Sequence, residues 1–188
     1  MTANAHDQTI DMPTATTARL PMPWMAIVHS MAMTTPSASE AAVQAARKLL
    51  AAESVGVLST ISVHRPGFPY GSVTPYALSA QGAPLLLLSR LAAHTKNLLA
   101  DPRASLFIGD RSAAEDPQAG ARISLLGRVS PMPPADEPDA RQRYLAAWPR
   151  AADYLALGDF AFWRLEIEEA RLIAGFGEIR WLDGAALR

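Results

Sequence analysis

The 188-residue sequence contains no cysteine. Disulfides, thiolate zinc sites, iron–sulfur clusters and cysteine nucleophiles are therefore excluded. Lysine is almost missing too: Lys48 and Lys96 stand against fifteen arginines. Charged residues are 19% of the chain and the formal net charge is −1, so no global field draws it to nucleic acid or to an anionic membrane surface. Histidine occurs four times, at positions 6, 29, 64 and 94, and not after His94. No apolar run reaches the ~18 residues of a membrane span. The longest charge-free apolar stretch, Leu20 to Pro36, carries three prolines and His29. Arg19 followed by LPMPWMAIVHSMA faintly resembles an export signal, but Pro21 and Pro23 interrupt it. The expected location is the cytoplasm.

What the chain does have is 49% hydrophobic residues, enough for one domain with a real core. Residues 1–36 are rich in Thr, Ala, Pro and Met and show no period, which predicts a flexible N-terminal arm. Trp24, Met25, Ile27 and Val28 within it could dock on a partner subunit. The folded domain is expected over 37–188. It opens with Ser37-x-x-Glu40, a capping box, and a helix that ends near Glu53 with Val43, Ala46, Leu49 and Leu50 on one stripe.

Strand-like runs then recur every 9 to 12 residues, separated by turn residues such as Pro66-Gly67 and Gly82. They are VGVLSTIS, SVTPYAL, LLLLS, ASLFIGD and ARISLLGRVSP, with two more in FAFWRLEIEEARLIAGFG, bent near Glu168–Ala170. Pro75 inside the second run places it at a sheet edge or a bulge. A helical segment, broken at Pro149, precedes the last strands, and EIRWLDGAALR reads as a tail. Six or seven mostly antiparallel strands with flanking helices predict a mainly β or α+β fold. Closing them as a barrel would remove the sheet edges.

The run LLLLSRLAAHTKNLLAD poses the functional question. Ser89, Arg90, His94, Thr95 and Lys96 gather where a buried strand gives way to a short helix. A helix start offers free N–H groups and positive dipole, and hydroxyls and cations there suit a phosphate monoester. The same residues also read as a plain N-cap, Thr95, followed by a solvated Lys96. Ser72 and Thr74 add small hydroxyls on a strand beside Gly71 and Pro75, where backbone can approach a flat ligand.

These segments resemble the flavin-binding split-barrel superfamily of pyridoxamine 5′-phosphate oxidase, and within it the haem-utilisation branch. The similarity runs from about Ala45 to Leu182, and its most specific piece is Ser-x-Leu-x-x-His-Thr-Lys-Asn-Leu with Asp-Pro-Arg-Ala-Ser behind it. It implies a six-stranded antiparallel split β-barrel with flanking helices, forming a homodimer with FMN in clefts between subunits. It implies FMN-dependent oxidoreductase chemistry on a small-molecule redox substrate, with haem binding as the alternative and deazaflavin F420 as a further cofactor. Ser89, Thr95 and Lys96 would hold the phosphate, with Arg90 and His94 nearby, and Ser72, Val73 and Thr74 would meet the ring. Ser124, Phe176, Gly177 and Trp181 would close the cleft from the partner.

The chain also departs from its relatives. The Arg-x-His substrate pair of true pyridoxamine phosphate oxidases has no counterpart, since no histidine follows His94. The haem branch usually shows Gly-Gly-Phe-Gly and then a base, where this chain has Ala174-Gly175-Phe176-Gly177-Glu178. No residue stands out as catalytic, and no metal site is expected from residue spacing.

Overall fold

The computed structural model describes residues 37–174 and 178–188. The expected arm over 1–36, with His6, His29 and Trp24 to Val28, lies outside the described residues, as do Phe176 and Gly177.

Helix α1 (Ala38–Ala52) begins as its sequence dictates. The Ser37 hydroxyl accepts from the Glu40 N–H, and the Glu40 carboxylate accepts from the Ser37 N–H. These bonds hold the Glu40 carboxyl below the usual carboxylate range. Ala42, Ala46, Leu49 and Leu50 are buried, one stripe at helical spacing, and Val43 packs beside them, partly buried. The strands are β1 (Val55–Ile61), β2 (Pro69–Leu78), β3 (Pro84–Ser89), β4 (Arg103–Gly109), β5 (Arg122–Pro131), β6 (Phe160–Ile173) and β7 (Ile179–Asp183). Helix α2 (Ala93–Ala100) joins β3 to β4, while α3 (Glu137–Ala147) and α4 (Ala151–Leu155) join β5 to β6.

All pairings are antiparallel, in the order β3-β2-β1-β4-β5-β6-β7. A further ladder between β3 and β6, from Leu85↔Arg164 to Ser89↔Phe160, closes six strands into a barrel. The expected fold is the observed one. The closure is split along β6: its first half pairs with β3, and its second half, from Glu169, pairs with β7 instead.

Three local expectations need correcting. FAFWRLEIEEARLI is one strand of 14 residues, not two. The bend near Glu168 is a bulge, because the register with β5 jumps from Leu126↔Glu169 to Gly127↔Ile167. The expected tail contains β7 and a final 3₁₀ turn, Gly184–Leu187. Finally, β2 is not an edge. Tyr76 N–H donates to the Ser54 carbonyl, so Val55↔Pro75 is a pair whose backbone groups point away from β1. The β2–β3 ladder begins only at Tyr76↔Leu86, so the N–H that proline lacks falls at the end of that ladder and not within it. The Pro75 carbonyl on that side accepts from the Tyr144 hydroxyl of α3 at 3.2 Å, and Trp148 Nε1 donates to the Tyr76 carbonyl at 3.0 Å.

The core fills the barrel with Leu58, Tyr76, Leu86, Leu88, Leu106, Ile108, Ile123, Leu125 and Leu165 and extends under α1. A second cluster packs α3 and α4 on the barrel through Leu85, Leu87, Tyr144 and Phe162. This explains the leucine run: both faces of β3 are covered, so no alternation is needed.

Candidate functional site at the barrel mouth

Helix α2 lies across the open end of β1 and β2. Asn97 fixes it there. Its Nδ2 donates to Thr60 Oγ1 at 2.9 Å, and its Oδ1 accepts from the Val63 N–H at 2.9 Å. Both Asn97 and Thr60 are buried.

Thr95 is the third residue of α2 and not its cap. The N-cap is Ala92, which offers no side-chain acceptor. The Thr95 side chain is fully buried, and its hydroxyl donates to the Ser89 carbonyl at 2.6 Å. Ser89 at the end of β3 is equally committed. Its hydroxyl donates to the Asp159 carboxylate and accepts from the Leu91 N–H at 3.1 Å. Arg90 turns the same way: its N–H donates to the Asp159 carbonyl at 2.8 Å and its Nη2 to the Gly158 carbonyl at 3.1 Å. The Lys96 side chain is exposed and makes no hydrogen bond among the described residues, while its backbone N–H donates to the Ala92 carbonyl.

Ser72 and His94 come together, with Ser72 Oγ 3.1 Å from His94 Nδ1. The imidazole is half-buried, and burial pushes its pKa below the ordinary 6.5. At neutral pH the ring is therefore neutral, with one nitrogen engaged by the serine. Thr74 is buried, and its hydroxyl donates to the Ser72 carbonyl at 3.3 Å.

Val73 points to the opposite face of β2, with 74% of its surface exposed. The register continues that face across the sheet as Val73–Val57–Phe107–Ser124–Arg171–Trp181. Along the next row lie Gly71, Ser59, Ser105 and Leu126. Across β2, β1, β4 and β5 these two rows of the outer wall carry only small and apolar residues; on β6 they meet Arg171 and Glu169, and the Arg171 guanidinium sits 5.0 Å from the Trp181 ring centroid. Trp181 is far along this wall from the α2 cluster within one chain.

The nine sequence-expected ligand residues therefore divide into two groups. Ser72, Thr74, Ser89, Arg90, His94, Thr95 and Lys96 belong to the barrel mouth, and Val73 and Trp181 to the outer wall. Sequence reasoning missed Asp159. It lies 70 residues from Ser89 and carries no motif, and only the β3–β6 ladder brings it there. Asn97 was read as part of a motif, but its bonds to Thr60 and Val63 depend on how the β1–β2 hairpin folds back. A phosphate group would find the hydroxyls of Ser89 and Thr95 already bonded and a carboxylate among them. A flat ring with a metal centre would find a neutral imidazole whose Nε2 has no partner among the described residues.

A family model described as "CREG, beta-barrel" matches residues 36–186. The non-canonical haem oxygenase HOZ of Arabidopsis thaliana, a chloroplastic protein by name, is 39% identical over 135 residues. That match covers 71% of this chain and 40% of HOZ. A haem-binding protein from Mycobacterium smegmatis superposes with a TM-score of 0.72 at 36% identity, covering 81% of this chain and 60% of that one. This chain therefore spans less than two thirds of the length of either relative. HutZ, the haem storage protein of Vibrio cholerae, has a TM-score of 0.57 at 22% identity over 70% of this chain and 93% of its own. At that identity it shows the shared fold alone.

Proposed function

The chain belongs to the CREG, beta-barrel family and to the haem-utilisation branch of the split-barrel superfamily, and on that footing we propose that it binds haem as a homodimer. The observation that carries the reading is the 39% identity to a haem oxygenase, joined by 36% identity to a haem-binding protein of the same fold. The donor chemistry supports it. A haem iron takes a neutral imidazole, and a second-sphere hydrogen bond on the other nitrogen orients the ring. His94 with Ser72 on Nδ1 has that arrangement. Lys96, exposed two residues beyond His94 in the same helix, is a cation available to a propionate. When bound, haem supplies the redox-active iron, and the protein's part is to hold it and exclude water. The FMN and F420 readings need phosphate donors at Ser89, Thr95 and Lys96, and the hydroxyls of the first two are engaged within the chain.

Titrating the full chain with haemin is the test. We expect a shifted Soret band that saturates at one haem per subunit. His94→Ala should weaken binding by about 10- to 100-fold, the scale of a lost ligand-sphere contact, and move the band, whereas His64→Ala leaves both unchanged. The absence of any Soret shift with the wild-type chain would overturn the proposal.

The homodimer is supported by the outer wall. A contiguous apolar surface of this kind is rare on a monomer. Val57, Val73, Phe107 and Leu126 are exposed on adjacent strands, with only small residues between them. Such a wall packs on a copy of itself about a two-fold axis without opposing like charges. Light scattering coupled to gel filtration should give twice the chain mass, and Phe107→Glu should shift it to the single-chain value. A wild-type monomer at tens of micromolar would sink this part of the reading and leave haem binding to be judged separately.

A further inference from the structure

The barrel mouth contains a feature that haem binding does not use. Around the end of β3, donors converge from the Ser89 hydroxyl, the Thr95 hydroxyl and the backbone and guanidinium of Arg90. The two hydroxyls, the Arg90 backbone N–H and the Arg90 Nη2 are all bonded within the chain. Ser89 donates to the carboxylate of Asp159, Thr95 to the carbonyl of Ser89, and Arg90 to the carbonyls of Asp159 and Gly158. We infer that Asp159 is a specificity-determining residue that sets this mouth against phosphate-bearing ligands.

Two effects act in the same direction. First, Asp159 occupies the hydroxyl that would otherwise be offered to an anion. A ligand phosphate would have to displace a charge-assisted hydrogen bond, which is stronger than a neutral one. Second, the carboxylate repels a dianion placed within a few ångströms of it, in a half-buried setting where screening by water is incomplete. An interface rejects a wrong partner most effectively by such like-charge juxtaposition.

The geometry also explains why Asp159 is where it is. Ser89 pairs with Phe160 at the end of the β3–β6 ladder, so the residue before Phe160 emerges beside the Ser89 side chain. Gly158, with φ of 75°, reverses the chain into that position. The carboxylate therefore comes from the element that closes the barrel, and a change at Asp159 can alter selectivity without moving α2.

The test compares FMN with riboflavin, which has the same ring and no phosphate, by quenching of flavin fluorescence on the full-length protein. In the wild type, FMN should bind no more tightly than riboflavin. Asp159→Asn keeps the shape and removes the charge. It should tighten FMN at least tenfold, leave riboflavin unchanged and leave haemin binding intact. A wild type that prefers FMN over riboflavin by more than threefold overturns the inference, and this comparison needs no variant. An Asp159→Asn protein that retains its melting temperature and gains no FMN affinity overturns it as well. Haemin titration of the same samples reports on the haem reading independently, so failure of one is distinguishable from failure of the other.

Discussion

Replacing Gly127 by alanine will lower the stability of the domain by about 3 kcal/mol, the upper range for overpacking a fixed interior. Gly127 lies in β5 opposite the bulge in β6. An alanine Cβ there would fall well inside contact distance of the Glu166 carbonyl oxygen and 3.2 Å from the Glu168 nitrogen. Both are backbone atoms of a central strand held by β5 along one side and by β3 and then β7 along the other, so neither can swing away as a side-chain tip would. Gly184 approaches the Ile167 carbonyl as closely from the other side. Two glycines thus bracket the bulge, and β6 passes between them where it leaves β3 and joins β7. For a domain of this size 3 kcal/mol corresponds to roughly 10 °C in melting temperature. Gly71→Ala is the matched control, because its Cβ would meet nothing closer than the Val57 methyl at 3.4 Å. A Gly127→Ala protein melting within about 2 °C of wild type, within the scatter expected for a harmless surface change, would refute the register at the bulge.

Asn97→Ala should cost about 2–3 kcal/mol, the sum expected when buried polar groups lose their partners. The substitution strips one hydrogen bond from Thr60, whose hydroxyl keeps only a 3.4 Å bond to the Tyr70 carbonyl, and leaves the Val63 N–H without its acceptor. It also removes two of the hydrogen bonds that tie α2 to the β1–β2 hairpin. Asn97→Asp is the informative companion: its carboxylate still accepts from Val63 but cannot donate to Thr60. Urea denaturation should rank wild type above Asn97→Asp at neutral pH, with Asn97→Ala lowest. Equal midpoints for all three would mean that the asparagine does not tie helix to hairpin. The same series bears on the site, since His94 sits one turn earlier on α2 and its contact with Ser72 depends on the helix staying in place.

Much of the architecture is legible in the residue order. Ser37 and Glu40 announce the first helix because a capping box is a contact within four residues. The leucine run of β3 and the Pro-Gly and Gly82 turns mark strands and reversals, because alternation, burial and positive φ are local demands on the chain. Where the reading erred, the deciding contact was remote. FAFWRLEIEEARLI appeared as two strands because the bend at Glu168 is a bulge specified by Gly127 on a neighbouring strand. The terminal residues appeared as a tail because Ile179–Asp183 is a strand only in the company of β6. Pro75 pointed to an edge or a bulge because the residue alone does not say where along the neighbouring ladders its missing N–H falls.

The candidate site divides along the same line. The sequence by itself established that His94, Thr95, Lys96 and Asn97 gather after a buried strand, and that neither cysteine nor any later histidine competes with them. Those facts follow from composition and adjacency, which need no fold. Only the tertiary structure decided what each residue is free to do. Closing β3 against β6 brought Asp159 to Ser89 and spent the serine hydroxyl, whereas folding β2 under α2 gave His94 a serine on one nitrogen and left the other open. Hydrogen-bond capacity is limited, and which groups consume it depends on distances between residues far apart in the chain.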